Sequence, residues 1–129
     1  MTWLSLLLIT KIGITGILVA VPFLLLPQSM LEKTTSINTP TPTFFRLYGI
    51  AITSLLVGYA FGVSSAEAGH FPWGVTWMGT VSNAGAAFML LAYSKGSKQN
   101  RILGAFFGLA ALGLIAAMIL PASAIQRAW

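Results

Sequence analysis

The chain has no cysteine and no aspartate; its acids are Glu32 and Glu67, and His70 is its one histidine. Without cysteine there is no disulfide, no thiolate nucleophile and no Cys-ligated zinc or iron–sulfur centre. Without aspartate a Ser-His-Asp relay is excluded, and the neighbouring Ser64, Ser65, Glu67 and His70 read as a solvated turn rather than a Ser-His-Glu arrangement. Glu67-Ala68-Gly69-His70 has the Glu-x-x-His spacing of di-iron bundles, but those need a second such motif and further glutamates. No metal site, cofactor or enzymatic chemistry is expected, and no Gly-rich phosphate cradle opens a helix.

Charge of either sign is scarce, at 7% of 129 residues against roughly a quarter in soluble domains, while 57% are hydrophobic. With a mean hydropathy of +0.86, lipid is the expected solvent. Four apolar runs, at 4–26, 44–63, 71–93 and 102–120, are each long enough to cross about 30 Å of hydrocarbon. They lack the alternation of barrel strands, so the expected fold is all-α: one transmembrane domain over 1–129, an integral membrane four-helix bundle. The first run is read as a retained helix rather than a signal peptide, because Lys11 interrupts it and no small-residue cleavage site precedes a polar stretch.

The formal charge of +5 would suggest nucleic acid in a soluble protein, but here the cations follow the loops. Lys33 and Arg46 flank the first connection and Lys95, Lys98 and Arg101 the last, against Arg127 alone on the opposite side. The excess orients both basic loops to the cytoplasm and both termini outside, as in a bacterial inner membrane. Arg46, Lys95, Lys98 and Arg101 are then candidates for anionic headgroups, and nucleic acid is not an expected partner.

The connection 27–43 is the one stretch of soluble composition. Ser29-Met30-Leu31-Glu32 has capping-box spacing for a short interfacial helix, the alternating prolines of 39–43 dictate extended chain, and Thr43 is placed to cap the second span. Pro22 is expected to kink the first.

Arg46-x-x-Gly49 followed by Gly58 recurs 55 positions later as Arg101-x-x-Gly104 followed by Gly113. The repeat suggests two helical hairpins in parallel, related by an axis along the membrane normal; convergence on a common helix start is the alternative. The pairs Gly58/Gly62, Gly104/Gly108 and Gly16/Ala20, with Gly49 and Gly113, are the expected close-packing positions, within one chain or between copies.

This layout, with Arg-x-x-Gly opening the second and fourth spans, resembles the small bacterial DoxX-like and related four-helix families. The resemblance implies an accessory subunit of a membrane system, without one settled activity.

Polar residues inside the apolar runs are the remaining candidates. Lys11 lies roughly 10 Å along the first span, where a buried ammonium costs up to about 2.5–3.5 kcal/mol. It either snorkels outward or faces the bundle to meet a carboxylate, Glu67 being the one acid on its side, or an anionic ligand. Thr76, Thr80 and Asn83 share a face of the third span, as interhelical glue or as a hydrogen-bonding site with Tyr59 and Lys11. Two functions follow: an accessory or assembly subunit, among other membrane subunits or as a homo-oligomer, or a small transporter or binding protein for an anionic or amphipathic molecule. The second would use Lys11, Tyr59 and Asn83, with Glu67, His70, Thr76 and Thr80 nearby, in a site open to the outer side.

Overall fold

A computed structural model describes residues 1–93 and 98–129. Among the described residues every named element is helical: α1 Trp3–Thr15, a π-helical turn Gly16–Ala20, α2 Val21–Leu25, α3 Gln28–Thr35, α4 Thr43–Glu67, α5 Trp73–Ala92, α6 Lys98–Ile119 and α7 Pro121–Ala124. Four helical stretches, Trp3–Leu25, Thr43–Glu67, Trp73–Ala92 and Lys98–Ile119, are long and apolar enough to span a bilayer. Lys95 lies outside the described residues.

Hydropathy located these stretches but not all their ends. α4 runs four residues past the expected 63, through Ser64 and Ser65, and α6 starts four residues before 102. Helical hydrogen bonding continues where immersion would stop, so polar composition ends a span before it ends a helix. α4 closes at Ala68, and Gly69 takes φ +79°, a left-handed turn that a side chain would resist. Pro22 does not break the first stretch. The preceding π turn, in which the Val21 N–H reaches the Gly16 carbonyl, adds a residue to the helix just before the proline.

Two capping expectations fail. α3 forms, but Pro27 precedes it and no side chain caps it; Glu32 instead accepts from Gln28 Nε2 at 2.8 Å and from the Thr39 N–H at 3.0 Å. The carboxylate thus fastens the extended segment back onto α3. Thr43 is already inside α4, whose first turn follows Pro42 without a side-chain cap. The cap that does form is Thr2, whose hydroxyl accepts the Ser5 N–H at 3.1 Å.

The glycines pack as contact points. A Cβ on Gly49 would meet Leu24 at 3.0 Å and one on Gly104 would meet Leu91 at 2.8 Å, so each closes an even stretch onto the odd one before it. Nine residues further along each helix, a Cβ on Gly58 would meet Met78 at 3.0 Å and one on Gly113 would meet Leu7 at 2.6 Å, each reaching the other helix pair. Gly62 lies against Val75 and Leu8, while Gly16 and Gly108 make ordinary contacts, Ala20 is buried, and Gly79 is crowded by Leu114 and Tyr59.

The bundle is packed unevenly along its length. At the end holding Thr2, Glu67 and α7, the core of Leu4, Leu8, Tyr59, Ala66, Leu114, Ala117 and Ala124 closes the middle of the bundle, and a separate cavity of about 260 Å³ lies on its flank between α1, α6 and α7. At the other end, which carries Lys33, Arg46, Lys98 and Arg101, a smaller cluster of Val19, Ala87 and Phe107 leaves open space beside it. Outward, Phe61, Val81, Leu109 and Ile119 are 73%, 68%, 70% and 71% exposed, so the exterior is as apolar as the interior.

Candidate functional site

Lys11 points inward. Only 5% of it is exposed; its ammonium donates to Thr15 Oγ1 at 2.9 Å and lies 4.4 Å from the centre of the Phe107 ring, with Phe106 and Tyr59 also near. Outward snorkelling is therefore overturned: the side chain runs along its own helix toward Thr15 and into an aromatic cage. The expected pairing with Glu67 does not form either. Glu67 is engaged at the closed end, where it accepts the Thr2 N–H at 2.8 Å and lies 3.8 Å from the Met1 α-ammonium. Among the described residues no carboxylate reaches Lys11.

The Lys11 ammonium borders a cavity of about 230 Å³, lined also by Thr15, Tyr48, Tyr59, Asn83 and Phe107. Asn83, 1% exposed, donates through Nδ2 to the Tyr59 hydroxyl at 2.9 Å and to the Gly79 carbonyl at 2.6 Å. Its Oδ1 is buried with no partner. A buried acceptor left unmade costs about 1–3 kcal/mol, so Asn83 Oδ1 is a destabilising group that a donor reaching it would satisfy. Gly79 permits this geometry, because a Cβ there would sit 3.0 Å from the Tyr59 hydroxyl and 2.7 Å from Leu114.

The sequence brings Lys11, Tyr59 and Asn83 together as expected. Thr76 and Thr80 stand on the same face of α5 but bond the carbonyls of their own helix, Thr76 to Pro72 and Trp73 and Thr80 to Thr76, so neither is interhelical glue. His70 is exposed in the turn after α4, where Ser65 Oγ bonds its backbone carbonyl rather than its ring. Arg46, expected among headgroups, donates instead to the Phe23 carbonyl at 2.9 Å and the Leu26 carbonyl at 2.9 Å, capping the end of α2. Lys98 and Arg101 are exposed.

Sequence reasoning missed Thr15 and Phe107. Thr15 had a signal, since it stands four residues after Lys11 on the same helical face; Phe107 had none that separates it from its apolar neighbours. The expected opening to the outer side is also corrected, because Leu8 and Leu114 are fully buried toward that end and the cavity of about 260 Å³ there, lined by Leu4, Leu7 and Gly113, shares no residue with the Lys11 cavity.

Comparison with known proteins found no matching family model, no matching curated protein and no matching solved structure.

Proposed function

We propose that this chain is a multi-pass membrane protein that binds a small organic anion at Lys11. The observation carrying the reading is an ammonium, 5% exposed, beside a cavity with no carboxylate to neutralise it. Burying an unpaired charge opposes folding, and a cation–π contact over Phe107 returns only about 2 kcal/mol of that cost. An anion in the cavity would complete the pair. Asn83 lines the same cavity and its Oδ1 has no partner, which favours a ligand that also carries an O–H or N–H, as in a hydroxy- or amino-substituted carboxylate.

The membrane setting is supported by the four apolar stretches and their exposed apolar side chains. Lys33, Lys98 and Arg101 at one end support a cytoplasmic position for that end, with Met1 and Trp129 opposite. The corresponding contacts of Gly49 and Gly104 with the preceding helix, and of Gly58 and Gly113 with the other helix pair, support two parallel hairpins about an axis along the membrane normal. An accessory-subunit role would use the exposed apolar surface equally well, but would leave the position of Lys11 without a return.

The test is thermal unfolding of the purified protein in detergent against glycolate, lactate, 3-hydroxybutyrate and glycine, with Lys11→Met in parallel. Stabilisation of the wild type by at least one of them, absent in the variant, is the expected result. Equal responses of the two proteins, or none, would overturn it.

A further inference from the structure

A second cavity adjoins the first at the basic end. It has a volume of about 280 Å³ and lies between the first stretch, α3 and the start of α6. Tyr48 and Phe107 line both cavities, so these two rings form the partition between them. Its walls are mixed: Val19, Phe23 and Leu103 are apolar, and Thr34, Thr35, Gln99 and Asn100 carry polar groups. α3 covers this space with Leu31, which is 2% exposed, and Glu32 fastens the following chain onto α3. Toward the opposite end, Leu8 and Leu114 are fully buried and Gly79 leaves no room beside Tyr59.

Resting on the anion-binding reading above, we infer that the second cavity is the vestibule of the Lys11 site and that access is one-sided. A monovalent organic anion enters beside α3 from the end bearing Lys33, Lys98 and Arg101, passes between Tyr48 and Phe107, and stops at Lys11. The exposed cations at that end raise the local anion concentration, while the buried Leu8 and Leu114 prevent passage through the bundle. The arrangement is that of a binding protein loaded from one side.

The absence of cysteine makes the test clean, because a single introduced thiol is the only one present. Ala86→Cys places it on the wall of the Lys11 cavity; Asn38→Cys and Ala68→Cys mark the exposed surface at the basic end and the closed end. Each variant is reconstituted in vesicles and treated from one side with sulfonatoethyl methanethiosulfonate or its trimethylammonioethyl counterpart. The expected result is that Ala86→Cys reacts only from the side on which Asn38→Cys reacts. The anionic reagent should be roughly tenfold faster than the cationic one relative to Asn38→Cys, and Lys11→Met should abolish that preference. Thr35→Trp, which fills the vestibule, should slow Ala86→Cys and leave Asn38→Cys unchanged.

Reaction from the Ala68→Cys side, no reaction from either side, or indifference to Thr35→Trp would overturn the one-sided route while leaving the Lys11 site in place. Equal rates for the two reagents, unchanged by Lys11→Met, would overturn the anion reading itself. Ile52→Cys lines the same cavity and carries the experiment if Ala86→Cys fails to fold.

Discussion

Lys11 and Gly79 show at the residue scale how the site is held at the expense of stability. Lys11 is buried over Phe107 with Thr15 as its hydrogen-bond partner. Methionine is similar in length and carries no charge to desolvate, so Lys11→Met should raise stability by about 1 kcal/mol, roughly 3–6 °C in Tm, measured without added anion. A loss of stability would mean that the cage repays the ammonium in full. Gly79→Ala should act in the opposite direction, by about 1–3 kcal/mol, because its Cβ would press on Tyr59 and Leu114. Gly85 has nothing within 4 Å of the same added atom, and Gly85→Ala should stabilise α5 by up to about 1 kcal/mol. Denaturant unfolding of the pair in one detergent separates packing from helix propensity. Lys11, Tyr59 and Asn83 were legible in the sequence because each is a polar group within an apolar run. Phe107 was not, since one phenylalanine among many carries no sign of the cation above it.

At the level of elements, the two Arg-x-x-Gly segments share their glycine contact and differ at their arginine. Gly49 and Gly104 both close a helix pair, yet Arg46 caps the carbonyls of Phe23 and Leu26 while Arg101 is exposed. Arg46→Ala should therefore cost about 2–3 kcal/mol and Arg101→Ala no more than about 0.5, read by reversible unfolding. The α3 segment is held differently, through a charge. Hydrogen bonds from Gln28 and the Thr39 N–H hold the Glu32 carboxyl below the usual glutamate value of about 4.3. A depressed carboxyl stabilises above its unfolded value and loses that contribution as pH falls through the folded one. A spin label at Asn38→Cys should become mobile as the medium is acidified below the ordinary glutamate range, and should be mobile at every pH when Glu32→Ala is added. A label that stays fixed in acid would show that the tether does not depend on this charge. The helix α3 was legible and its cap was not: the spacing from Ser29 to Glu32 fits a box, but Glu32 found donors in Gln28 and Thr39 that local pattern rules do not consider.

At the scale of the whole molecule, the number and placement of the long helices followed from hydropathy, because each is an apolar run long enough to span a bilayer. The direction in which the site opens did not follow, because it depends on which end of the bundle is filled. That is decided by the burial of Leu8 and Leu114 in one core and by the cavity between the first stretch and α6 around Leu18 and Leu103, pairs far apart in the chain. The same unevenness has a dynamic consequence. A rod gripped at one end moves most at the other, so the first stretch and α6 should part by pivoting on the Leu8–Leu114 layer, with the π turn Gly16–Ala20 as the place where the first stretch bends. Backbone amides of α6 near Leu103 should then exchange with deuterium faster than those near Leu114, and the gradient along this one helix would record breathing that a static cavity volume does not express.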